Sequence, residues 1–214
     1  TTVSMHFVNR RGGDDTERDR PGLAALTARL AAWSLGRCEA SSPVGCANGP
    51  DWYAVDHRAA RFFGTVEPGA VGTFVLRLAA GLRRFEVSRQ DFARVVAHAT
   101  DERRNAVNRQ GRLGEIVAPR VFDDGTLYNS LVSGTSEELR SLRLERANAL
   151  FRERYTPSEC ALVAVGRTSL GEVMAYAERL LGPWQGGAAP PPSAPHATIR
   201  EGGDRVFLLE TTTR

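Results

Sequence analysis

Lysine is absent from this chain: all 28 of its basic side chains are arginine. They are scattered among 25 acidic residues and leave a net charge of only +3. Such uniform arginine usage reflects genomic base composition rather than a binding surface. The basic patches interleaved with aromatics that nucleic-acid sites use are also missing, so no nucleic-acid partner is expected. Long apolar runs are lacking too. No stretch reaches the roughly 20 apolar residues that a bilayer-spanning helix requires, so no membrane span is expected. Cysteine occurs three times. Cys38 and Cys46 flank the loop Glu39-Ala-Ser-Ser-Pro-Val-Gly45, where they either close a small disulfide ring or remain loop thiols. No His or Cys stands at ligand spacing around them, which argues against a structural zinc. Cys160 opens an apolar run and reads as a small core residue.

Catalytic signatures are equally sparse. His6, His57, His98 and His196 are far apart in sequence. Asp56-His57 could orient a base, yet no serine or cysteine nucleophile stands in a recognisable elbow nearby. Gly166-Arg-Thr-Ser-Leu-Gly171 lies between a strand and a helix, but it lacks the lysine and glycine spacing of a phosphate-binding loop, and a helix cap explains it.

What is present is an ordinary globular composition, 42% hydrophobic and 25% charged over 214 residues. That length supports one sizeable core, or a domain with a fragment of the next. The chain opens directly on a strand, Val3-Ser-Met-His-Phe-Val8, as expected of a processed or trimmed product. A polar turn follows, and then a helix that Asp19 can cap and Pro21 can open. Leu23, Leu26, Leu30 and Trp33 recur at helical spacing along it. Trp52 to Val66 reads as one or two strands with a bend near His57. A helix from Pro68-Gly69 carries Val71, Phe74, Val75, Leu78 and Leu82. Another, capped by Ser88, carries Phe92, Val95, Val96 and Ala99 and runs towards Arg109.

Thr135 and Glu138 form a capping box for a helix bearing Leu139, Leu142, Leu150 and Phe151. Cys160 to Gly166 reads as a buried strand. A second capping box, Ser169 with Glu172, opens a helix with Leu170, Val173, Met174, Ala177 and Leu181 on one face, and Gly182-Pro183-Trp184 stops it. Residues 185–203 read as a Pro/Gly-rich linker. Residues 204–214, with Arg205-Val-Phe-Leu-Leu-Glu210, hold a strand that either opens a further domain or pairs back onto the first.

The strand, glycine turn and Gly22-Leu23-Ala24 helix resemble the start of the insulinase-type zinc metallopeptidases, the family of pitrilysin and the mitochondrial processing peptidases. Gly134-Thr135, Tyr155-Thr156-Pro157, Val163-Ala-Val-Gly166 and Gly182-Pro183-Trp184 extend the similarity to Trp184. Their order and spacing carry it, since no one element is specific. The resemblance implies an α/β (α+β) sandwich over residues 1–184, a mainly antiparallel sheet with helices on one face.

In catalytic members the helix continues His-x-x-Glu-His, whereas here the motif positions hold Ala25, Ala28 and Arg29. Alanine offers zinc no donor, and arginine neither deprotonates nor tolerates a cation beside it. The family's third ligand is a glutamate in a pair seven apart on a later helix. Glu102 is the nearest counterpart, read as a remnant of the fold, and Arg109 stands where the second glutamate is expected. The chain is therefore expected to have no catalytic residues, no metal and no cofactor.

By resemblance its partner is a catalytic, zinc-bearing half or subunit. Peptide substrate would add as a strand inside the chamber the two share, with Trp52 to Val66 either the substrate-side edge or an ordinary strand. Two other readings stand beside this one: an active zinc metalloendopeptidase with a relocated site, and a stand-alone protein-interaction module. A Cys38–Cys46 disulfide would point to the bacterial periplasm or cell envelope, with the cytoplasm as the alternative.

Overall fold

A computed structural model describes residues 2–13, 22–36, 53–83, 85, 87–106, 117, 120–122 and 132–186. Asp19, Pro21, Cys38, Cys46, Trp52, Arg109, His196, residues 187–203 of the linker and the strand at 204–214 lie outside these residues.

Strand β1 (Val3–Asn9) alternates buried and half-buried side chains, the period-two signature of a sheet with one covered face. It runs antiparallel between β3 (Ala60–Val66) and β4 (Cys160–Gly166). The short β2 (Tyr53–Val55) pairs antiparallel with β3 alone, giving the order β2-β3-β1-β4. Register sets Phe7 opposite both Phe62 and Leu162, so the inward face is continuous across three strands.

The helices in chain order are α1 (Leu23–Gly36), α2 (Val71–Arg83), α3 (Arg89–Ala106), α4 (Ser136–Ser141), α5 (Leu144–Arg154) and α6 (Leu170–Leu181); α1, α2, α5 and α6 reach that face, while α3 and α4 pack with α1. A 3-10 turn at Pro68–Ala70 leads into α2, and another at Pro157–Glu159 leads into β4. Phe7 and Phe62 pack with Ala28, Ala31, Leu78, Phe151, Tyr155 and Trp184. Small residues on α1 let it lie close to the sheet. Leu23, Leu26 and Leu30 pack instead with Leu139, Leu142 and Leu150. Val3 and Met5 meet Val71 and Val75, with Val173 and Tyr176 of α6 beside them. The architecture is thus the expected antiparallel sheet with helices on one side.

Four local expectations are corrected. The stretch after Thr135 is two helices, because Leu142 adopts an extended backbone (φ −66°, ψ 150°) that breaks the helix while its side chain stays buried. Among the described residues β4 stands at the end of the sheet order, and Val163 and Val165 on its outer face are 43% and 63% exposed. Leu170, Met174 and Trp33 are exposed as well, with no layer of the described residues covering them. Ser169 accepts the Glu172 amide, but the Glu172 carboxylate accepts from Thr168 Oγ1 at 3.1 Å in place of closing the box.

Candidate functional site

Arg29 sits on α1 with one turn of helix separating it from Ala25. Ala25 is half-buried and Ala28 fully buried, the latter packed in the cluster with Phe7 and Phe62. Neither carries a polar atom beyond its backbone. Gly22 opens the helix at φ +82°, and a Cβ there would lie 2.8 Å from the Ser133 carbonyl oxygen and 3.0 Å from Gly134 Cα. Two glycine motifs from opposite ends of the sequence are therefore in backbone contact, which fixes the angle at which α1 enters the core.

The Arg29 side chain is 20% exposed and bridges three elements. Its Nη2 donates to Glu102 Oε2 on α3. Its Nε donates to the Tyr53 hydroxyl on β2 at 2.5 Å, and its guanidinium carbon stands 5.8 Å from the centre of the Tyr53 ring. Burial acts to lower the Arg29 pKa, but its interactions with Glu102 and Tyr53 together outweigh it and leave the group raised. Burial likewise raises the Tyr53 phenol, keeping it neutral as an acceptor.

His98, one helical turn before Glu102, places Nδ1 3.1 Å from Glu102 Oε1 and 3.4 Å from Arg29 Nη1. That single nitrogen can donate to the carboxylate or accept from the guanidinium, not both.

Zinc does not fit this donor set. Glu102 is engaged by a guanidinium, His98 is the one imidazole beside it among the described residues, and the two helix positions of the motif are alanine. Among the described residues, no group of three or more His, Cys, Asp or Glu side chains is arranged to hold a metal ion.

His6 lies on the outer sheet face, stacked on Phe63 at 5.8 Å, and His57 in the β2–β3 turn, so the structure does not gather the described histidines. Asp56 precedes His57 in that turn and faces the backbone and Arg61. Its carboxylate accepts from the Arg58 and Ala59 amides and from Arg61, which together hold its pKa below the ordinary range against the opposing effect of burial. Sequence reasoning missed Tyr53, whose role comes from a contact 24 residues away.

β2 has a ladder partner on one side only, so among the described residues its other edge presents free backbone donors and acceptors. Tyr53, and through it Arg29, lies on this edge strand. An edge of this kind is the geometry at which an extended backbone adds by strand pairing.

Comparison with known proteins places this geometry. Residues 141–213 match the family model described as the peptidase M16 inactive domain. No curated protein sequence matches the chain. A protease from Helicobacter pylori has a TM-score of 0.76 at 11% identity, with 93% of this chain and 49% of that one covered. Pitrilysin gives 0.73 at 17% identity, covering 92% and 22% of the two chains. The periplasmic protease PqqL from Escherichia coli gives 0.78 at 11% identity, covering 92% and 23%. The chain therefore spans about half the first protein and under a quarter of the other two. No helix among the described residues is long and apolar enough to cross a membrane. Residues 141–213 thus resemble the peptidase M16 inactive domain, and the described residues share the fold of pitrilysin and PqqL.

Proposed function

We propose that this domain is the non-catalytic half of an M16-type peptidase, pairing with a zinc-bearing half and lining the chamber in which peptide is held. The observation that carries this reading is Arg29, a cation built into the helix where the resemblance places a metal-binding histidine, and already paired with Glu102. A guanidinium saturated by a carboxylate and a phenol neither activates water nor polarises a peptide carbonyl. The edge of β2, which has no ladder partner among the described residues, supports the peptide-holding part, because strand addition relies on backbone hydrogen bonds and tolerates varied side chains.

The same reading places the domain in the bacterial periplasm or cell envelope, the compartment of its structural neighbour PqqL. The match to only part of longer proteases supports the existence of further M16 domains, in the same chain or in a partner.

The test is reconstitution. The domain is mixed with a catalytic M16 half bearing an intact His-x-x-Glu-His helix, and cleavage of a quenched fluorescent peptide is followed. The expected result is a stable complex and a rise in cleavage that the domain alone never shows. Chelator-sensitive cleavage by the isolated domain would instead mean a relocated catalytic metal site. Failure to bind any M16 half would mean a stand-alone interaction module.

A further inference from the structure

We propose that Arg29 is a positioning residue: its guanidinium clamps the edge strand β2 to helices α1 and α3 and so holds the peptide-docking edge in place without a metal.

Among the described residues β2 spans three residues and has one ladder neighbour, pairing Tyr53, Ala54 and Val55 with Phe62, Arg61 and Ala60. A strand this short at a sheet edge is readily frayed unless tertiary contacts hold it. The contact is supplied through Tyr53, which packs beside the central cluster and accepts a hydrogen bond from Arg29 Nε. Arg29 is anchored in turn by Glu102 on α3.

The anchoring requires arginine. One planar fork donates in two directions, Nε to β2 and Nη2 to α3, whereas a lysine at the same place is a single point donor. Arg29 is largely withdrawn from water, so the pair is screened less than an exposed salt bridge. The clamp joins residues 29, 53 and 102 across sequence separations of 24 and 73 residues. It is therefore a product of the fold rather than of local helix chemistry.

The effect on peptide rests on the function proposed above. The clamp itself does not, and the experiment separates them. Hydrogen exchange is followed by mass spectrometry on the full 214-residue chain and on R29M, R29K and Y53F. In parallel, binding of a fluorescein-labelled peptide of alternating Val and Thr is read by anisotropy.

In R29M and Y53F the amides of 53–55 are expected to exchange about tenfold faster while β1 and β4 keep their protection. R29K is expected to retain the protection of α1 and α3 through Glu102 and still lose that of β2. Peptide binding should weaken in step with β2 exchange. Unchanged β2 exchange in Y53F overturns the clamp, and Y53F decides the matter if R29M fails to fold, since it removes one hydroxyl. Equal loosening of the whole sheet in all variants also overturns it, by making Arg29 a general stabiliser. Loosened β2 with undiminished peptide binding overturns the positioning role. Loosened β2 with no binding even by the wild type leaves the clamp standing and counts against the proposed function.

Discussion

Glu159 sits at the end of the turn that feeds β4, 5% exposed, with two arginines aimed at it. Arg10 donates from Nε and Nη2 at 2.9 and 3.0 Å, and the buried Arg11 donates from Nε at 2.8 Å. Asn9 extends the cluster, its amide donating to the Arg154 carbonyl and its Oδ1 accepting from the Arg11 backbone. Together these tie the end of β1 to the start of β4. The hydrogen bond from Arg10, with Arg11 behind it and burial opposing, holds the Glu159 carboxyl below the ordinary glutamate range.

A depressed folded-state pKa contributes stability that is fully present above the unfolded value and is lost as pH falls through the folded one. Glu159→Gln is expected to destabilise by about 3 kcal/mol at neutral pH, since it removes the carboxylate facing a buried guanidinium. Urea denaturation at a series of pH values checks this. The gap between wild type and variant should close as pH drops below about 4.3, the unperturbed glutamate value. A gap that persists at low pH would assign the cost to packing instead.

At the scale of elements, the capping box at α4 was legible in the sequence. Glu138 N donates to Thr135 Oγ1 at 3.2 Å, and the Glu138 carboxylate accepts from Thr135 N at 2.6 Å. Thr135→Ala is expected to cost about 1 kcal/mol and Thr135→Ser much less, read as shifts in the urea midpoint. Equal midpoints for the alanine and wild-type proteins would show that α4 is held by Leu139 packing alone.

The order of strands and helices could be read in advance because it rests on local signals: alternation in β1, caps at Ser88 and Thr135, and glycine or proline at the breaks. The break at Leu142 was not legible, because Leu139, Leu142 and Leu150 satisfy a helical period and yet reach one cluster from two separate helices. The exposure of Val163, Val165 and Leu170 was equally hidden. An apolar run says that a segment is apolar, and only topology decides whether a layer covers it. At the site the loss of the histidines was plain in the sequence. What took their place was not, since the Arg29 partners lie 24 and 73 residues away.

Across the described residues, two buried clusters lie between sheet and helices, with β1 contributing to both, and a third joins helices to one another. Phe7 touches Phe62 and Trp184 with ring centres 6.1 Å apart in each pair, and Tyr155 stacks on Phe151 at 4.4 Å. The motif residues Tyr155 and Trp184 are thus core anchors that hold α5 and the end of α6 onto β1 and β3, and they carry the fold independently of any metal. The contacts that hold this fold together are therefore distinct from the Arg29, Tyr53 and Glu102 contacts of the candidate site.

The most direct measurement is the zinc content of the purified 214-residue chain after dialysis against a zinc buffer, with peptide cleavage followed on the same sample. The account predicts substoichiometric zinc and no chelator-sensitive cleavage. One tightly held zinc per chain, lost together with peptidase activity on chelation, would contradict it.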